Sequence, residues 1–264
     1  MTSDLATVRD TLEGSYRAIE SLAAGFGPED WLHPSLCPDW TVRAVASHLA
    51  AVEQILTGWL PTEDDQTLPF GEIPAALAEL NVLDDEAFTR RIGEIFDERR
   101  RDLERLTEAD LARPSMTPVG PGTYGRFMEI RVFDFWVHER DMAIPLRRPV
   151  TDETGPRAEL ALAEVRGALG YIVGKKIGLP DKMSIVFHLT GPLVADLACA
   201  VDGRAKVVES LEAPDVEVTT DTTTFMLLAC GRVDPQEPID FGAISWTGPS
   251  EWGERAAREL RFTM

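Results

Sequence analysis

The apolar spacing of this chain changes period part-way along, and the change is punctuated by Pro145-Leu-Arg-Arg-Pro149. Before that break, apolar residues recur every three or four positions, as one face of a helix requires. After it, much of the pattern alternates at every second residue, as a half-buried strand requires. A length of 264 residues accommodates two domains of ordinary size. The reading is a mixed chain: an N-terminal four-helix bundle over residues 1–148, then a small α+β domain over 149–264.

The first helix carries Leu5, Val8, Leu12, Tyr16, Ile19 and Leu22 on one face and ends at Gly25 and Gly27-Pro28. A second, capped by Asp39 or Thr41, runs to about Leu60. A third spans about 84–106, with Phe88, Ile92, Ile95, Phe96 and Leu103 on one side, and a Pro/Gly-rich loop over 113–122 leads to a fourth at about 124–144. Beyond the break, a helix is expected at 156–177 and strands at 183–189 and 193–201. An Asp202-Gly203 turn leads to a strand at 206–209, and a further strand follows at 216–220. Helices at 221–229 and 250–260 complete a domain whose sheet is expected to be mostly antiparallel.

Composition removes several classes of function. Hydrophobic residues make up 44% and charged residues 27%, the balance of a chain that buries a core. The net charge of −19 opposes a phosphate backbone, so no nucleic-acid partner is expected. No apolar run approaches the ~18 residues of a membrane span, and the N-terminus has neither the basic start nor the apolar stretch of a secretory signal. A cytoplasmic protein acting on small molecules is expected. Arg99, Arg100 and Arg101, among Asp97, Glu98, Asp102 and Glu104, read as a solvated, ion-paired helix face. Cys37, Cys199 and Cys230 contain no CxxC pair, and Cys199 and Cys230 read as small buried thiols.

The chemistry is concentrated in Arg131-Val-Phe-Asp134-Phe-Trp-Val-His138-Glu-Arg-Asp141. At ~100° per residue, Arg131, Asp134, His138 and Asp141 fall on one stripe of a helix that is apolar nearly all round. Ionisable groups buried in this way are costly unless paired or bound to an ion. Asp134 and His138, four apart, can reach one metal from a single helix. The same residues also allow an Asp–His hydrogen bond or an Asp–Arg ion pair. His48 is expected at the centre of the apolar face formed by Val45, Val52, Ile55, Leu56 and Trp59, so two helices each direct an imidazole inward. Two nitrogens and one oxygen, with positions left open, describe a catalytic site and not a closed structural one. Arg131 and Asp141 are then expected to orient the ligands from behind, with Trp59 and Phe135 lining the pocket. His33, beside Pro34, reads as exposed; the facing of His188 is undetermined. There is no GxSxG, no phosphate-binding glycine loop and no GxGxxG.

Trp31…Pro34-Ser-Leu-Cys37-Pro38-Asp39-Trp40-Thr41-Val42…Ala46-Ser-His48-Leu49-Ala50, with Arg131-x-x-Asp134-x-x-x-His138-x-x-Asp141 downstream, resembles the mycothiol-dependent maleylpyruvate isomerase family. The resemblance implies a DinB-like four-helix bundle holding a divalent metal, normally zinc. Ala229-Cys-Gly231-Arg232 and Gly253-Glu-Arg-Ala-Ala-Arg-Glu-Leu260 resemble the family's small C-terminal domain, akin to sterol-carrier folds. The family's ligands carry over as His48, Asp134 and His138. One departure matters, since the middle ligand is usually Glu and Asp134 is one methylene shorter. The implied cofactors are zinc and mycothiol, whose thiol, activated on the metal, attacks a small electrophile to give cis–trans isomerisation. Thiol S-transfer, hydrolysis by metal-bound water, and a non-catalytic metal- or ligand-binding module are the alternatives. Arg232, following Gly231 at a helix end, is a candidate for binding a carboxylate of substrate or cofactor, or else an exposed arginine capping that helix.

Overall fold

Each of the four long helices of the N-terminal bundle begins on an Asp or Thr whose side chain accepts a backbone N–H three residues on, the interaction that satisfies an otherwise orphaned donor. Asp4 caps α1 (Leu5–Ala24), Thr41 caps α3 (Val42–Leu56), Asp84 caps α5 (Asp85–Arg105) and Thr123 caps α7 (Tyr124–Ala143). The structure, a computed structural model, describes residues 3–263. Short helices α2 (Pro28–Leu32), α4 (Ile73–Asn81) and α6 (Glu108–Leu111) lie in the connections, and α4 packs along α3.

Two boundaries differ from those expected. α3 stops at Leu56 and not near Leu60, since Gly58 takes a left-handed φ of 72° and its N–H turns away to Asp102. The Pro/Gly-rich stretch read as a loop is an antiparallel hairpin, β1 (Pro114–Thr117) with β2 (Gly120–Thr123). Glycines and prolines supply β2 with almost no side chains to alternate, so the period-2 signal is missing.

Val8, Leu12, Tyr16 and Ile19 of α1 meet Phe88, Ile92, Ile95 and Phe96 of α5, all essentially inaccessible to solvent. Burial of a large apolar side chain contributes about 1.5–3 kcal/mol, so this core carries the bundle. Arg99 corrects the reading of a solvated arginine face: it is buried, and only Arg100 and Arg101 reach the surface. The charge pattern of α5 was a sound guide to its outer side and not to the one arginine that turns inward.

The chain divides between Thr151 and Asp152 into two units. The second contains α8 (Pro156–Tyr171), continued by a π-helical turn (Ile172–Ile177), then β3 (Ser184–Thr190), β4 (Ala195–Asp202), β5 (Arg204–Val208) and β6 (Val216–Asp221). α9 (Thr222–Ala229), α10 (Gln236–Asp240), β7 (Ile244–Thr247) and α11 (Ser250–Arg258) follow. The strand order is β5-β4-β3-β6-β7; β3 and β6 are parallel and every other pairing is antiparallel. The mixed architecture, a helical N-terminal unit followed by a mostly antiparallel α+β unit, is the expected one. β7 was not anticipated: four residues at a sheet edge give too short a pattern. No helix among the described residues is long and apolar enough to cross a membrane.

Gly253 explains its own presence in the α11 motif. A Cβ there would lie 2.2 Å from the Trp246 ring on β7. Gly253→Ala is therefore expected to destabilise the protein by about 1–3 kcal/mol, the usual cost of overpacking. Gly167, in an open position on α8, should respond oppositely, with Gly167→Ala gaining roughly 0.5–1 kcal/mol of helix stability. Denaturant melts of the two variants check both signs; equal behaviour would contradict the packing account.

Candidate metal centre

α7 is the one long helix buried over almost its whole circumference, and its ionisable residues Arg131, His138 and Asp141 are buried with it. Such groups persist only with partners, and each has one. His138 Nδ1 is 2.8 Å from Asp141 Oδ2, an arrangement in which Nδ1–H donates and Nε2 is left to face Asp134. Arg131 donates from Nη1 to Asp134 Oδ2 and from Nε to Glu53 Oε1 at 2.9 Å.

From α3, His48 Nε2 comes within 3.3 Å of Asp134 Oδ2, while His138 Nε2 stands 3.4 Å from Asp134 Oδ1. One ligand atom from each of His48, Asp134 and His138 lies within 4.8 Å of the other two. Nitrogen and oxygen atoms bound to zinc at ~2.0–2.2 Å in a tetrahedron stand about 3.3–3.5 Å apart. The two imidazole–carboxylate separations, one to each oxygen of Asp134, are of that size and are long for charge-assisted hydrogen bonds, which run at about 2.7–2.9 Å. The donor set suits a divalent cation, and the Asp134 carboxylate meets both imidazoles from its own helix, one through each oxygen.

His48 is at the rim of the apolar face of α3 and not at its centre: its side chain and that of Asp134 are each 26% exposed. The exposure leaves the cluster open to a small molecule. Trp40 stands beside this opening, its ring centroid 5.3 Å from that of His48 and 6.1 Å from that of His138, nearly parallel to the latter. Asp39, at a left-handed φ of 64°, turns the chain to place it. The Ser35–Trp40 and Leu36–Asp141 backbone hydrogen bonds hold this loop on itself and on α7. Phe135, expected to line the pocket, is instead buried in the bundle core against Tyr16 and Phe96, and Trp59 packs against Tyr124. The aromatic residue at the centre is Trp40, which the sequence presented only as part of a motif.

Behind the cluster lies a group that sequence reading missed. Glu53 of α3 is 1% exposed and accepts from Arg131, from Arg99 Nε at 2.9 Å and from Tyr16 Oη at 2.8 Å. Of the remaining candidates, Arg232 is buried in the second unit and not exposed, and its Nη1 donates to the carbonyl of Cys230, the residue that follows α9. His33 is exposed. His188 is half-exposed on β3 between Asp196 (2.7 Å) and Glu217 (3.4 Å). Cys37, Cys199 and Cys230 are buried and lie outside any disulfide.

Two family models match the chain. The mycothiol maleylpyruvate isomerase N-terminal domain covers residues 12–143, and the C-terminal domain of the same family covers 159–255. Among solved structures, a histidine-to-alanine mutant of the mycothiol-dependent maleylpyruvate isomerase is similar at 15% identity with a TM-score of 0.62, over 93% of each chain. The unmutated enzyme is similar at 14% identity with a TM-score of 0.58, over 88% of this chain and 90% of that one. At such identity these two show a shared fold. No curated protein sequence matches the chain.

The electrostatics of the cluster are set by its ion pairs. Burial works against the charged form of Asp134, yet Arg131, His138 and His48 together hold its carboxyl well below the usual range. Burial likewise opposes the His138 ion, but Asp134 and Asp141 outweigh it and raise the imidazole from 6.5 to about 9 in the chain alone. The sign of the linkage follows: the stability this ion contributes is complete below pH 6.5 and is lost as pH rises to about 9. A cation at Nε2 must displace that proton, so metal affinity should rise with pH through the neutral range. In chelator-treated protein, the His138 ring protons should titrate near pH 9 by NMR, and Asp141→Asn should lower the midpoint. A midpoint at the ordinary value in the unmutated chain would contradict this account.

Proposed function

Since the chain belongs to the mycothiol-dependent maleylpyruvate isomerase family, we propose that it is a zinc- and mycothiol-dependent enzyme that isomerises a small conjugated cis-alkene, with maleylpyruvate the first candidate. The observation that carries the reading is the meeting of His48, Asp134 and His138 at the rim of the bundle. A bound divalent metal and a low-molecular-weight thiol together supply a thiolate, whose reversible addition to a conjugated alkene allows rotation about the former double bond.

The protein's own part is to hold and orient. His48, Asp134 and His138 would be the ligands. Asp141 fixes the His138 tautomer, and Arg131 keeps one carboxylate oxygen of Asp134 engaged, so that the other is free to ligate. Arg131 also offsets the carboxylate's charge. The ligand set is then close to neutral, and a divalent cation on it favours an anionic fourth partner. Trp40 presents an indole beside the same opening, a surface suited to a planar conjugated substrate.

Purified protein is expected to retain about one zinc per chain. His48→Ala or His138→Ala should abolish retention, Asp134→Ala should weaken it, and Asp134→Glu should preserve it. Incubation of zinc-loaded protein with mycothiol and maleylpyruvate should give the trans isomer only when metal and thiol are both present. Turnover without thiol would point to hydrolysis by metal-bound water, a thioether product would point to S-transfer, and no turnover or thiol binding would leave a non-catalytic module.

A further inference from the structure

The four long helices each send one polar side chain to a single buried point: Tyr16 from α1, Glu53 from α3, Arg99 from α5 and Arg131 from α7. Glu53 is the shared acceptor, with Arg131 on Oε1 and with Arg99 and Tyr16 on Oε2. All four residues are buried. Arg131 has a second carboxylate partner, Asp134, so one guanidinium joins the interior of the bundle to the rim cluster.

Stability alone is a weak reason for such a group. Replacing a buried Arg–Glu–Arg set by apolar side chains of similar volume is often neutral or stabilising. Apolar residues could fill this space, but they could not grip the back of Asp134. A long arginine bearing only one carboxylate contact has many rotamers, whereas one held at Nε by Glu53 and at Nη1 by Asp134 has few. Glu53, in turn, is oriented by Arg99, which also donates to the Leu56 carbonyl at 2.9 Å. The chain of contacts Arg99–Glu53–Arg131–Asp134 thus runs from the core to the carboxylate that lies between both imidazoles.

We infer that Glu53 is a positioning residue for the metal centre, acting through Arg131 to fix the carboxylate of Asp134. The inference rests on the reading of His48, Asp134 and His138 as metal ligands. It makes Glu53, a residue with no contact to the ligand atoms, a determinant of metal affinity.

Co2+ titration of the metal-free full-length chain, followed by visible absorption, provides the test. Glu53→Gln should lower Co2+ affinity by about tenfold, the range found when partners behind metal ligands are removed, and should alter the absorption band as Asp134 loses its fixed orientation. In an Arg131→Gln background, the same Glu53→Gln change should cost less than about twofold, because its route to Asp134 is already cut. Tyr16→Phe removes one hydrogen bond from Glu53 without changing charge. It should shift affinity in the same direction by a smaller factor, and it provides the comparison if Glu53→Gln does not fold. Unaltered affinity and spectrum in the folded Glu53 or Tyr16 variant, or an equal loss with and without Arg131, would overturn the positioning role alone. Failure of the unmutated chain to bind Co2+ would overturn the metal reading, and this inference with it.

Discussion

A carboxylate sealed inside a helical bundle must be paired, and the pairing of Glu53 involves all four long helices at once. An unpaired charge in that position would cost several kcal/mol, so the register of each helix is tied to bringing its own partner to Glu53. Burial raises the pKa of Glu53, but Arg131 and Arg99 prevail and hold the carboxyl below its ordinary range. The tyrosine that donates to it is pushed well above its usual value, by burial first and by Glu53 next. The cluster is thus built of fixed charges and a firm hydroxyl donor, with no group poised to titrate near neutrality.

From this interior anchor the polar contacts run outward to the rim. Arg131 transmits the position of Glu53 to Asp134, and Asp141 fixes His138 from the other end of the same helix stripe. The cluster is rigid behind and open in front, where His48 and Asp134 are partly exposed and Trp40 flanks the opening. That polarity is what a three-ligand metal site requires, with orientation enforced from the protein side and a coordination position left to the solvent side. Asp134, a short-armed carboxylate, is held in place from behind by the Arg131 guanidinium.

The sequence was most legible where one element carried the whole signal. Arg131, Asp134, His138 and Asp141 share a single helix, so their common stripe follows from the helical period alone, and the four long helices of the bundle follow from apolar spacing, with a cap read only for the second. Membership of the family was legible because its motifs are local runs around Trp40, His48 and His138. Glu53 and Arg99 were not legible, since their burial depends on partners 46 and 78 positions away on other helices, and an arginine among acids reads as surface. The hairpin at 114–123 escaped because glycine and proline leave no alternation to detect. Trp40 was visible as a letter, but its place beside both imidazoles, tilted to His48 and stacked on His138, depends on a left-handed Asp39 and on a loop docked to α7, both tertiary facts.

X-ray absorption at the zinc edge tests the central claim most directly, because it reports the atoms around the metal without requiring knowledge of the substrate. The account predicts a first shell of nitrogen and oxygen only, with the scattering of two imidazoles, and the appearance of one sulfur at ~2.3 Å when mycothiol is added. Sulfur in the first shell before thiol is added, no sulfur afterwards, or a zinc shell unchanged in the His138→Ala protein would contradict it.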